Sequence, residues 1–417
     1  MFASRVFQRR FSVSYKSHLR STSSQLSESI STVLVTPGQG NFNVDSLALF
    51  NKYKDLPGVK ALLAETDESL PIDITQYIRD LSVVKEISNL GKASPLQRTS
   101  IQQPLLILTS KITNEILKEL HGVDLFNLPQ QSELKPNFMI GHSLGEISSL
   151  VLQDHLCFEN GLKLAHKRGK LMEEIILNST ENDSNKVVGV DNDNDNEAYT
   201  MMVLMFQSSI YQNLLKEMKK LSVLEDSNTV GISNINNFQQ IVISGKKNLI
   251  LKKIEELKIN LAKNYIWKGR IRPIDLNVKV PFHHPILRPI QDELSDLFDE
   301  YLDLDEKLGI PVISNLNGQV TTTLKDQVAN IVEVTSKPVL FVNCLEKSLS
   351  ETILKNSNDK LSRIRFINFG PGNVTHGIIS KFINDYKIVR KCDIKDRIEN
   401  LSLDNETNIE QVSKLYN

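Results

Sequence analysis

The chain is expected to fold as a two-module α/β protein, a larger domain on a mostly parallel sheet interrupted by a smaller α+β domain. Three observations carry this expectation. Strand-like and helix-like segments alternate from about residue 31 onward, the pattern that builds a parallel sheet covered by helices. The apolar run Phe138-Met139-Ile140 leads through Gly141-His142-Ser143-Leu144-Gly145-Glu146 into Ile147, Leu150, Val151 and Leu152 at helical spacing, so a strand turns sharply into a helix. Residues 201–276 read strand, helix, strand, strand, helix, strand, the split order of a ferredoxin-like domain.

Taken in order, the first 30 residues stand apart. Arg5, Arg9, Arg10, Lys16 and Arg20 are basic, no acid precedes Glu28, serines are dense, and Phe2, Val6, Phe7 and Phe11 can share one helical face. This composition predicts a mitochondrial transit peptide and a matrix location. Residues 31–36 form a β-branched strand ending in Pro37-Gly38-Gln39-Gly40, helical patterns occupy 44–54 and 95–120, and Phe138 to Gly141 is the strand before the turn. Residues 179–200 hold Glu181-Asn182-Asp183-Ser184-Asn185 and the Asp/Asn alternation 191–196, too polar to bury and lacking the glycine and closing glutamate of a calcium loop. The small domain, 201–281, takes strands at 201–205, 229–234, 239–244 and 271–276 and helices at 208–221 and 247–261. The larger domain, 31–200 and 282–387, resumes through Val312-Ile313-Ser314-Asn315 and Phe366-Ile367-Asn368-Phe369. Residues 388–417 carry Asp393, Asp396, Glu399, Asp404, Glu406 and Glu410 and are expected to be an acidic tail.

Composition narrows the function classes. With 417 residues, 40% hydrophobic residues and a formal net charge of −1, nothing points to nucleic acid. There is no apolar run long enough for a membrane span. The three cysteines, Cys157, Cys344 and Cys392, are far apart and in no metal-ligand spacing, so neither a structural metal nor a disulfide framework is expected.

The chemistry concentrates at Ser143. A serine between two glycines at a strand-to-helix turn is the nucleophile-elbow arrangement, which makes the larger domain α/β-hydrolase-like. The Leu144 N–H, at the start of the following helix, is placed to donate to a developing oxyanion. A serine nucleophile needs a base, and of eight histidines the pair in Val280-Pro281-Phe282-His283-His284-Pro285 stands out, directly after the last small-domain strand and at a proline-fixed turn. His283 is selected over His284 because Pro285 restricts the residue before it. His142, on the last strand position, is expected to pack beside the turn. His18 lies in the presequence, and His121, His155, His166 and His376 have nothing polar assembled around them.

These residues amount to a family resemblance. The chain resembles the malonyl-CoA:acyl-carrier-protein transacylases of type II fatty acid synthesis and, with its presequence, the fungal mitochondrial form. The marks are Pro37-Gly38-Gln39-Gly40, the Gly141 to Glu146 elbow, Arg168-Gly169 with Met172, Asn234-Ile235-Asn236, Gln240 to Gly245, Pro281-Phe282-His283, Ser314-Asn315, Pro338-Val339 and Gly370-Pro371-Gly372-Asn373-Val374. The resemblance implies malonyl-CoA as substrate, acyl carrier protein with its phosphopantetheine thiol as partner and acceptor, and no further cofactor. It implies catalytic Ser143 and His283, an oxyanion hole from the backbone N–H groups of Gln39 and Leu144, and Arg168 as holder of the malonyl carboxylate. Leu340 stands where bacterial relatives often carry Gln or Asn; its backbone carbonyl is the candidate group for orienting His283, with a required side chain at this position as the alternative. A serine esterase or thioesterase shares the elbow, and a non-catalytic carrier-binding protein remains the other class.

Overall fold

The computed structural model of the chain describes residues 29–40, 42–90, 94–128, 132, 134–181, 198–221, 230–265, 269–354 and 362–416. The presequence through residue 28 and the Asp/Asn-rich stretch 182–197 lie outside the described residues. Among the described residues the strands are, in chain order, β1 (Ile30–Thr36), β2 (Phe138–Gly141), β3 (Tyr199–Met205), β4 (Gly231–Asn237), β5 (Gln240–Lys246), β6 (Arg272–Asp275), β7 (Lys307–Ile313), β8 (Val320–Thr323), β9 (Arg363–Asn368) and β10 (Ile398–Ser402).

The main sheet runs β10-β9-β1-β2-β7-β8. Its neighbours are parallel except for the antiparallel edge strand β8. Leu34 of β1 lies opposite Met139 of β2 and Ile367 of β9. These three side chains join one core with Leu105, Leu108 and Ile112 of the Thr99–His121 helix. Val33, Val35, Ile140, Ile364 and Phe366 point the other way, into a core shared with the Phe341–Glu351 and Val374–Arg390 helices. Because successive side chains alternate faces and both faces are covered, these strands read as unbroken apolar runs.

The second sheet runs β4-β5-β3-β6 and is antiparallel throughout, the strand order of a ferredoxin-like fold. On the Lys247–Asn264 helix, Ile250, Ile254, Leu257 and Leu261 are buried, a helical stripe that packs with Leu214, Leu204 and Ile243. The two modules are tied by backbone: Ile235 N–H of β4 donates to Val339 O at 2.9 Å and Val339 N–H to Ser233 O at 2.8 Å. Pro338-Val339 is therefore a seam between the modules. Among the described residues no helix is long and apolar enough to cross a membrane.

The segment expected as an acidic tail is a correction. β10 adds to the edge of the main sheet beside β9, and the Glu406–Ser413 helix buries Ile409 and Val412 in the core. Its acids face outward or are paired, Glu399 with Arg365 at 2.7 Å and Glu406 with Tyr53 at 2.6 Å. Acidic residues interleaved with Ile398, Leu401, Leu403, Ile409 and Val412 describe a half-buried strand and an amphipathic helix rather than a solvated tail.

Candidate active site

The elbow is built by close approach. A Cβ on Gly141 would lie 2.1 Å from Glu146 N, and one on Gly145 2.5 Å from Thr36 O, so only glycine lets the strand end, turn and helix start touch. Ser143 itself has φ 54°, a left-handed conformation that costs a non-glycine residue about 1–3 kcal/mol and needs outside support. Asn315, just beyond β7, supplies it: its Oδ1 accepts from Ser143 N–H at 2.8 Å and its Nδ2 donates to Gly141 O at 2.6 Å. Burial raises the neighbouring Glu146 carboxyl to about 7, opposed by hydrogen bonds from Asn315, Gln327 and Ser314 and by the Arg168 charge.

His283 Nε2 lies 2.7 Å from Ser143 Oγ. Its Nδ1 faces the Val334 carbonyl at 2.7 Å. A carbonyl can only accept, so Nδ1 carries the proton and Nε2 presents its lone pair to the serine hydroxyl. Burial pushes the imidazole down to about 3, against the Val334 hydrogen bond and with further lowering by Arg168 and His142. It is therefore neutral and able to accept a proton. His283 shares the left-handed backbone of Ser143, at φ 59°, which turns it away from its neighbour. His284 is extended, as the residue before a proline should be, accepts from Ile286 N–H at 3.2 Å and stands edge-on to Tyr199.

The carbonyl behind His283 is a correction: it belongs to Val334, not Leu340. The Leu340 carbonyl opens the Phe341–Glu351 helix and accepts from Cys344 N–H at 3.1 Å. Val334 ends the Leu324–Val334 helix, where terminal carbonyls have no partner within the helix and carry the negative end of its dipole. That dipole favours the imidazolium formed when His283 takes a proton.

The Gln39 loop is pressed onto the elbow, since a Cβ on Gly38 would lie 2.7 Å from His142 O. Among the described residues neither the Gln39 nor the Leu144 N–H is given to an acceptor, leaving both for an oxyanion. The Gln39 side chain is held back, its Oε1 accepting from Thr99 Oγ1 at 2.8 Å and its Nε2 donating to Gln102 at 3.2 Å. Arg168, on the Phe158–Glu181 helix, is 3% exposed and donates from Nη1 to Gln103 Oε1 at 2.8 Å. Its Nε has no partner among the described residues. Burial lowers the guanidinium to about 10, with Glu146 opposing, so it stays charged at neutral pH. Next to it, Gly169 permits the close helix contact, where a Cβ would come 2.5 Å from Ser100 Cα. His142 packs beside the turn, its Nε2 3.0 Å from Asn236 Oδ1 of the small domain and its ring edge-on to Phe341.

No family model matches the chain. Curated proteins similar to it include the malonyl CoA-acyl carrier protein transacylase of Bacillus subtilis, 29% identical over 343 residues, 82% of this chain and 87% of that protein. The Staphylococcus aureus MRSA252 protein of the same name is 28% identical over 365 residues, 88% and 96% of the two chains. The chain is a relative of the malonyl CoA-acyl carrier protein transacylases. Solved structures agree on the fold. The Helicobacter pylori malonyl-CoA:acyl carrier protein transacylase has TM-score 0.65 at 21% identity, covering 92% of this chain and 98% of that one. A malonyl-transacylase in complex with its type II PKS acyl-carrier protein has TM-score 0.65 at 20% identity, covering 92% and 99%.

In this transacylase relative the residues missed by sequence reasoning are those that hold others. Val334 acts through its backbone, which no side-chain pattern reveals. Thr99, Gln102 and Gln103 are polar yet buried together in the first turns of the Thr99–His121 helix, a signal that the sequence does contain and that marks a polar site at the helix start.

Proposed function

We propose that the protein transfers a malonyl group from malonyl-CoA to the phosphopantetheine thiol of acyl carrier protein through an ester on Ser143. The reading rests chiefly on the 2.7 Å contact of Ser143 Oγ with His283 Nε2 in a centre that also holds the buried Arg168. His283 takes the hydroxyl proton as Oγ attacks the thioester carbonyl. The N–H groups of Gln39 and Leu144 take up the oxyanion. Collapse breaks the carbon–sulfur bond, and the leaving thiolate receives the proton from His283. The carrier thiol then repeats the sequence in reverse, giving up its proton to His283 and attacking the malonyl-Ser143 ester. A backbone carbonyl rather than a carboxylate behind the histidine separates this centre from the Ser-His-acid arrangement usual in esterases.

Incubation with malonyl-CoA followed by mass spectrometry is expected to locate a malonyl adduct on Ser143 that holo acyl carrier protein removes. An adduct elsewhere, or one released only to water, would sink the proposal.

Arg168 is assigned the malonyl carboxylate, which it can meet with two parallel N–H donors. Arg168→Ala is expected to lower kcat/KM for malonyl-CoA by the equivalent of roughly 2–5 kcal/mol, the cost of burying one charge without its partner. Acetyl-CoA, with no carboxylate to desolvate, should be spared or improved. A parallel fall for both substrates would make Arg168 structural.

The place of action we propose is the mitochondrial matrix, supplying extender units for fatty acid synthesis there. The support is the acid-free, arginine-bearing amphipathic composition of the first 30 residues. Deleting them is expected to leave a tagged protein in the cytosol, and unchanged mitochondrial recovery would overturn the targeting role.

A further inference from the structure

Three hydrogen bonds close a ring around the peptide groups of Ser143. Glu146 N–H donates to Ser143 O at 3.0 Å. Glu146 Oε1 accepts from Asn315 N–H at 3.0 Å. Asn315 Oδ1 accepts from Ser143 N–H at 2.8 Å. Glu146 thus grips the elbow with its backbone and, with its side chain, reaches across to the one residue that spans both sides of the turn. Glu146 and Asn315 are both fully buried. Asn315 is also pinned by Leu340 N–H on its carbonyl at 2.8 Å, and Gln327 Nε2 donates to the same Glu146 oxygen at 3.1 Å. The other oxygen, Oε2, is buried with no partner among the described residues. Among the described residues only Oε1 has partners, and Asn315, Gln327 and the nearby Ser314 are all neutral donors.

We infer that Glu146 is a positioning residue for Ser143, acting through Asn315 by the reach of its side chain rather than by its charge. Ser143 is in a left-handed conformation, so without the ring its backbone relaxes and Oγ leaves His283 Nε2. The consequence falls on the chemical step and not on substrate binding. This inference rests on the reading of Ser143 as the nucleophile.

Reach and charge are separated by two substitutions. Glu146→Gln keeps the length and an acceptor oxygen while removing the charge. Glu146→Asp keeps the charge and is one methylene too short to meet Asn315 N–H. Single-turnover acylation is measured with malonyl-CoA and with acetyl-CoA, alongside thermal melting. The Gln variant is expected to retain most of the wild-type rate, even if it melts lower from its unpaired amide. The Asp variant is expected to lose about 10²-fold in rate, the scale of a misplaced reacting group, equally for both substrates and with KM unchanged. An Asp variant faster than the Gln variant, two variants at wild-type rate, or a loss confined to malonyl-CoA would each overturn the inference. If the Asp variant shows no cooperative melting, Asn315→Asp takes its place, with the same shape but an acceptor turned toward the Gly141 carbonyl. It should lose rate at constant KM, and a wild-type rate there overturns the inference. Wild-type protein lacking an adduct on Ser143 would instead refute the underlying nucleophile reading.

Discussion

Ser143→Ala abolishes acylation by malonyl-CoA and leaves the fold in place. In the proposed reaction the hydroxyl forms the ester, and Cys344, the buried thiol near the elbow, cannot stand in for it because burial pushes its thiol up and keeps it protonated. Removing one partly exposed hydroxyl takes away a single hydrogen bond, to His283, worth about 1 kcal/mol. Alanine occupies the same left-handed backbone at similar strain, so the melting temperature should stay close to that of wild type. Intact-protein mass spectrometry after incubation with malonyl-CoA reads the first expectation and calorimetry the second. Adduct formation at the wild-type rate in Ser143→Ala would remove the mechanism.

His283→Ala lowers the acylation rate by about 10²–10⁴-fold or more, the range for a general base that acts as a unit with its nucleophile. His284→Ala has a much smaller effect, because that ring faces Tyr199 and caps the Ile286 N–H. The depressed basicity of His283 also sets a pH dependence. Its imidazole is held down to about 3 by burial, below the ordinary histidine value, so the neutral form persists as the solution is acidified. The stability linked to this group is fully present above its unfolded value and is lost as pH falls through the folded one. Acylation measured from about pH 8 to about pH 5 should therefore show no loss attributable to the base. A rate that halves near the ordinary histidine value, or a greater loss in His284→Ala than in His283→Ala, contradicts this geometry.

Much of the molecule is encoded within short stretches of chain. The elbow is legible because two glycines and an apolar run on each side state a steric requirement within a dozen residues. The small domain is legible because periods of two and of 3.6 residues report which faces are buried. Even the choice of His283 over His284 follows from the restriction that Pro285 places on its neighbour. The C-terminal segment is not legible in this way: its acids are conspicuous, while its few apolar positions gain meaning only beside β9.

The sequence alone settled the sheet-forming segments other than β8 and β10, the turn at Ser143 and the residue types of the centre, since these depend on sterics and periodicity between near neighbours. The tertiary structure decided which groups hold them. Asn315 meets Ser143 across 172 residues of chain and Val334 meets His283 across 51. Those partners are selected by where helices end and strands exit once the sheet is assembled, and a backbone carbonyl leaves no trace in residue identity. The Val334 carbonyl, at a helix terminus with no acceptor duty inside the helix, is shared between Lys337 N–H at 3.2 Å and His283, whereas the Leu340 carbonyl is taken by the helix it opens.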